Sequence, residues 1–156
     1  IVVEEANKLG VEVPKLGVMI ETPSAAISAK TYINDVDFFS IGTNDLIQYT
    51  LAADRGLASL ASYHDCLHPS VLHLINNVIE VGKKYGIEVS VCGDMASDIE
   101  GAKILYALGL RIFSLAPSQA PLILSSILNS HEKITNLETK EILSQKNSQN
   151  VRSLIR

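Results

Sequence analysis

Clustered basic residues are missing from this sequence. Its thirteen Lys and Arg are scattered, and the net charge is −4 with an isoelectric point near 5.5. The electrostatic footprint of a nucleic-acid binder is therefore lacking, and the expected partners are small molecules or proteins. Long apolar runs are missing too, since none approaches the roughly eighteen residues that crossing a bilayer requires. No charged-then-apolar stretch stands at the start, so a soluble protein with no membrane span is expected. Cysteine is scarce: Cys66 and Cys92 alone are too few for a disulfide scaffold in so apolar a chain. Reduced thiols in a cytoplasm are the expectation. An initiator Met is also absent, and the chain opens at Ile1 in a stretch that already reads as helical, as expected of a fragment.

What is present belongs to a folded chain. Hydrophobic residues make up 47% and charged residues 19%, a balance that permits a real core and argues against a disordered tail. The 156 residues fit one ordinary domain or a piece of a larger one.

Short apolar segments rich in β-branched or aromatic residues recur at Leu16 to Ile20, Asp37 to Ile41, Val89 to Cys92 and Ile112 to Leu115. Segments of this length, apolar on both faces, suit parallel strands covered on both sides. A helical pattern follows each, which indicates βαβ units. Thr22-Pro23 opens a helix over Ser24 to Lys30, and Pro69 opens the longest one, Ser70 to Tyr85, with Gly86 as its stop. Ser97-Asp98 caps Ile99 to Leu108, and a further helix runs from about Ala120 to Leu128. Residues 129–156 read as a separate polar helical tail, amphipathic around Leu137 to Leu143 and without a chemical signature. Four β/α units are half of an eight-stranded barrel and also enough for an open sheet; periodicity does not choose. Either way, Glu21, Asn44-Asp45 and Cys92-Gly93-Asp94 fall at the carboxyl ends of strands, where such folds place their sites.

Glu21 ends one apolar strand and Asp45 follows the next. Two converging carboxylates are suitable hard-oxygen ligands for Mg²⁺, which commonly takes one or two carboxylates plus substrate oxygens and water. Equally, Glu21 can cap the next helix or pair with a Lys, and Asp45 can cap a helix beginning at Leu46. Arg55 suits a phosphate through bidentate hydrogen bonds, although a pair with Asp54 or a surface carboxylate is the simpler reading. Cys92 at its strand end can be a nucleophile, a metal ligand, a proton donor or a buried core residue. Cys66, flanked by His64 and His68, invites a zinc reading, yet the spacing fits no closed four-ligand pattern. His73 and His131 have no partner at ligand spacing and read as surface residues.

The run Asp37-Phe-Phe-Ser-Ile-Gly-Thr-Asn-Asp-Leu-Ile-Gln-Tyr-Thr-Leu-Ala-Ala-Asp-Arg55 resembles the long signature of phosphoenolpyruvate-utilising enzymes. Gly17-Val-Met-Ile-Glu-Thr-Pro23 and Val91-Cys-Gly-Asp-Met-Ala-Ser-Asp98 resemble that family's two other site segments, in order and at the right spacing. The resemblance covers about Lys15 to Leu128 and is nearest to Enzyme I of the sugar phosphotransferase system, with pyruvate phosphate dikinase and phosphoenolpyruvate synthase as runners-up. It implies an α/β fold, the last four β/α units of a TIM-type β/α barrel over residues 1–128. It also implies that Glu21 and Asp45 hold Mg²⁺, that Asn44 contacts the substrate's anionic end, that Arg55 grips the phosphoryl group, and that Cys92 protonates the departing enolate. The implied activity is transfer of phosphate from phosphoenolpyruvate to a protein histidine and on to a histidine-containing phosphocarrier protein, in a homodimer. Asp94 departs from the family's usual Glu. The family's remaining phosphate-binding arginines and its phosphorylated histidine fall in regions this chain lacks, so the fragment alone is expected to be inactive. A dimerisation or regulatory module is the competing expectation.

Overall fold

A computed structural model describes residues 1–156. After helix α1 (Val2–Leu9), strands and helices alternate: β1 (Gly17–Ile20), α2 (Pro23–Ile27), β2 (Phe38–Gly42), α3 (Thr43–Leu51), α4 (Pro69–Tyr85) and β3 (Glu88–Cys92). Then come α5 (Asp94–Ser97), α6 (Ile99–Ala107), β4 (Ile112–Phe113), α7 (Ala120–Asn129), α8 (His131–Thr135), α9 (Thr139–Leu143) and α10 (Ser148–Ile155). The expected helix over Ser24 to Lys30 is broken: α2 stops at Ile27 and a 3₁₀ turn, Ala29–Tyr32, continues it. α3 begins three residues earlier than the expected Leu46, because Gly42 rather than Asp45 stands at its amino-terminal cap. The last strand is shorter than the expected Ile112 to Leu115, although the Ser114 amide still donates to Val91 O at 2.8 Å.

All three strand pairings are parallel and the order is β1-β2-β3-β4. An order without reversal, joined by right-handed crossovers, puts every connecting helix on the same side of the sheet. Burial confirms it. Ile20, Phe39, Ile41 and Val91 belong to the core, with Val18 and Val89 packed against it. Their neighbours in sequence point the other way, and that second face has no helix over it: it carries Gly17, Ser40, Ser90 and Cys92, with Phe38 half-buried over Gly17 and Met19 44% exposed. The expectation of strands covered on both sides is thus corrected: helices cover one face only. A doubly wound sheet needs helices on both faces and a reversal of strand order. This topology has neither, and it is consistent with part of a β/α barrel, open at β1 and β4.

The core is built chiefly by α4. Val71, Leu72, Ile75, Val78 and Ile79 form its buried stripe, and Asn77 Nδ2 donates to Ala26 O at 2.7 Å, tying α4 to α2. Residues 129–156 pack against this same core: Ile134, Ile142 and Val151 are fully buried and Ile155 nearly so. Apolar residues spaced among many polar ones are enough to seat short helices when a core is already present to receive them.

Candidate active site

Each strand end delivers one part of the site. Glu21 follows Ile20 directly and leans over Gly42, where an added Cβ would lie 2.9 Å from Glu21 Cβ and 3.0 Å from its Oε2. Only glycine at 42 leaves that carboxylate its place. Thr22, not Glu21, caps α2, accepting from the Ala25 amide at 3.2 Å. Asp45 lies in the first turn of α3, where the helix dipole favours a negative charge. Neither carboxylate makes an ion pair or accepts a hydrogen bond from the protein.

The β2 and β3 ends are stitched together. Thr43, the only fully buried polar residue, donates from Oγ1 to Cys92 O at 2.8 Å, and the Asp94 amide donates to Asn44 Oδ1 at 2.7 Å. Gly93 makes this possible: its φ is +98°, and a Cβ there would run into Thr43 Oγ1 and sit 2.7 Å from Asn44 Oδ1. With its oxygen engaged, the Asn44 amide group keeps its N–H donors for a ligand. The contact that residue 94 makes with Asn44 uses its main chain, so it does not depend on the Asp94 side chain.

Cys92 is half-buried, its Sγ 3.6 Å from Ile41 O, 3.9 Å from Met19 Sδ and 3.9 Å from Ser40 Oγ. The carbonyl gives a protonated thiol an acceptor. Arg55 is exposed and forms no ion pair; its amide donates to Gln48 Oε1 at 3.2 Å, while Asp54 Oδ1 accepts from the Gly56 amide at 2.7 Å. The pairing of Arg55 with Asp54 is therefore not made. Glu21, Asn44, Asp45, Arg55 and Cys92, with Met19, Gly42, Thr43 and Gly93, line one cavity of about 150 Å³. Met19 and Thr43 had no role in the sequence reading; Thr43 stands between Gly42 and Asn44, but nothing local marks its bond to Cys92.

The donor set fits a hard divalent cation of the Mg²⁺ kind. It offers two unpaired carboxylates and no third His, Cys, Asp or Glu close enough to complete a protein-only cage, so substrate oxygens and water would supply the rest. Zinc at Cys66 does not fit. No ligand-spaced group surrounds it, His68 Nδ1 accepts from the Ser70 amide at 3.2 Å, and burial, with Asp98 and Asp65 nearby, pushes its thiol up to about 12.

Unneutralised carboxylates, a free guanidinium and a thiol at the carboxyl end of a parallel β/α sheet define a class: a β/α domain equipped to bind a small anionic substrate. Residues 2–132 match the family described as PEP-utilising enzyme, PEP-binding domain, and the chain belongs to that family. It is 44% identical over 117 residues to the phosphoenolpyruvate-protein phosphotransferase of Cupriavidus necator, covering 75% of this chain and 20% of that protein. Against the protein of the same name from Listeria monocytogenes it is 42% identical, covering 92% of this chain and 25% of the relative. The phosphoenolpyruvate synthase of Pyrococcus furiosus is 44% identical over 83% of this chain and 16% of its own length. The chain thus spans about a fifth of the length of the curated relatives it matches. No helix is long and apolar enough to cross a membrane.

Proposed function

We propose that this chain supplies the last four β/α units of a TIM-type barrel to a cytoplasmic, homodimeric phosphotransferase of the Enzyme I kind. The reaction is transfer of the phosphoryl group of phosphoenolpyruvate to a protein histidine, and then to a histidine-containing phosphocarrier protein. One observation carries the reading: Glu21, Asn44, Asp45, Arg55 and Cys92 share a cavity in which the protein itself neutralises none of the charges. Buried or half-buried charges without protein partners are costly unless a ligand completes them.

Glu21 and Asp45 would hold Mg²⁺, which when bound would neutralise charge on the phosphoryl and enolate oxygens. Asn44 donates to the substrate's anionic end, and Arg55 holds the phosphoryl oxygens through its planar fork. As the bond from phosphorus to the bridging oxygen breaks, its electrons remain on the departing enolate, and phosphorus bonds to the histidine nitrogen. The Cys92 thiol gives its proton to the enolate's methylene carbon, forming pyruvate and leaving a thiolate to be reprotonated from solvent.

The test uses the full-length protein containing this chain and follows histidine phosphorylation by phosphoenolpyruvate across a Mg²⁺ titration. Glu21→Gln and Asp45→Asn each lower turnover about a hundredfold or more, with the thermal midpoint little changed because neither carboxylate has a protein partner. Normal phosphorylation by both variants at low Mg²⁺ would put the site elsewhere. The second reading, a phosphoenolpyruvate synthase, is favoured by relatives of that name at 44% and 48% identity. Formation of phosphoenolpyruvate from pyruvate, with no transfer to a phosphocarrier, would select it.

A further inference from the structure

Between α3 and α4 the chain runs from Ala52 to His68, a long connection by the standard of compact domains. Its front end carries Arg55. Its middle, a 3₁₀ turn over Ala58–Tyr63, buries no residue at all, and Leu57 and Tyr63 are 52% and 66% exposed. Packing of the middle therefore does not decide where this segment lies, and its two ends must. At the front, Gln48 and the Asp54 turn hold Arg55 and Gly56. At the rear, Leu67 is buried in the core and Cys66 packs against it, and Asp65 adds polar ties, accepting from the Leu67 amide at 3.0 Å and from both terminal nitrogens of Arg152 at 2.8 and 2.9 Å.

Arg152 comes from α10, eighty-seven residues away in sequence. Its Nε also donates to Glu100 Oε2 on α6 at 2.9 Å, and Val151 and Ile155 sink into the core on either side of it. The guanidinium is thus a rigid fork, seated on α6 and closed on the loop. It also forms part of the wall of a cavity of about 220 Å³, shared with Asn44, His64, Asp65, Asp94 and Asp98. Asn44 belongs to both this cavity and the catalytic one. His64 Nε2 is buried without a hydrogen-bond partner, so His64 does not anchor the loop itself.

We infer that Arg152 is a positioning residue for the substrate site: through Asp65 it fixes the rear of the 52–68 connection, and so places Arg55 and the His64 wall beside Asn44. This rests on the phosphoenolpyruvate reading above. The C-terminal helix, which looks from sequence like a solvated tail, becomes the brace that keeps the phosphate-gripping segment preorganised.

The experiment uses the full-length protein with Arg152→Ala, Asp65→Asn, Arg152→Lys and Glu100→Gln, and reads both steady-state kinetics with phosphoenolpyruvate and amide hydrogen exchange over residues 54–68. Arg152→Ala and Asp65→Asn each raise KM about tenfold while kcat stays within about threefold, and exchange in 54–68 quickens while β1 to β3 keep their protection. The double variant is no worse than Arg152→Ala alone, since that substitution already removes the contact with Asp65. Arg152→Lys, which keeps the charge without the fork, recovers part of the loss, and Glu100→Gln, which loosens the seat on α6 without touching the loop, shifts KM less than Asp65→Asn. A lowered thermal midpoint with unchanged KM, or unchanged exchange in 54–68, overturns the inference. If the unaltered protein turns over no phosphoenolpyruvate, the functional reading fails on its own, and the exchange arm still decides whether Arg152 braces the loop.

Discussion

The carboxyl edge of the sheet and the Arg152 hub treat charge in opposite ways. At the edge, Glu21, Asp45 and Arg55 stand close around one cavity and none pairs with another protein group. At the hub, Arg152, Asp65 and Glu100 are 23%, 27% and 32% exposed, and both carboxylates pair with the one guanidinium. Complementary groups that fold into contact are structural, because leaving a half-buried charge unpaired is costly. Groups that line one cavity without pairing, around a frame set by Gly42, Gly93 and the Thr43 bond, retain their capacity for a ligand. Burial pushes the Asp65 carboxyl up, but the hydrogen bonds from Arg152, the Leu67 amide and Ser148 outweigh it and hold the group below the usual carboxylate range.

The largest effect expected from breaking this contrast lies at the edge. Cys92→Ala in the full-length protein is expected to slow turnover about a hundredfold to ten-thousandfold, while phosphoenolpyruvate and Mg²⁺ binding stay near normal, because a neutral thiol holds little charge. Exchange of the pyruvate methyl protons with solvent should collapse, and single-turnover phosphorylation of the histidine should suffer less. Retention of both rates, or a collapse of binding, would return Cys92 to the packing residues.

At the hub the expected effect is on stability and has a pH signature. Because Asp65 titrates lower in the folded than in the unfolded chain, its contribution is fully present above the unfolded value of about 3.9 and is lost as pH falls through the folded one. Asp65→Asn should cost about 2 kcal/mol near neutrality and should flatten the fall in thermal midpoint below about pH 4. Thermal melts from pH 7 to 2 decide it; an acid limb as steep as the parent's would show that other carboxylates carry it.

The smallest expected effect sits between the two regions. Ala52 ends α3 with φ 51°, the only non-glycine residue in the left-handed region. Ala52→Gly relieves that strain, against the extra freedom glycine gives the unfolded chain, for a net gain of about 0.5 kcal/mol. Denaturant melts measure it, and a loss of stability would mean that the Ala52 methyl packs usefully.

Much of the edge was legible in the sequence. Strand ends announce themselves locally: an apolar run stops, a polar residue and a glycine or proline follow, and Glu21, Asn44, Asp45 and Cys92 were found that way. The stripe on α4 was equally local, since five apolar residues at helical spacing have one face to bury. The order of the strands was not legible, because four β/α units carry the same periodicity in a barrel and in a doubly wound sheet; the uninterrupted order β1 to β4, which lacks the reversal of a doubly wound sheet, came only with the packed structure. Nor did the sequence reveal that helices cover a single face, since a short apolar strand looks the same whether one side or both are packed.

By itself the sequence determined the kinds of element along β1 to α7, their succession and which polar residues fall at each strand end, because these depend on residues within a few positions of one another. Only the tertiary structure decided which charges stay free and which are spent. Arg55 and Asp54 are adjacent and do not pair, whereas Arg152 and Asp65 are eighty-seven residues apart and do. Pairing depends on which side chains the packed helices bring within hydrogen-bond reach, and no local pattern encodes that distance.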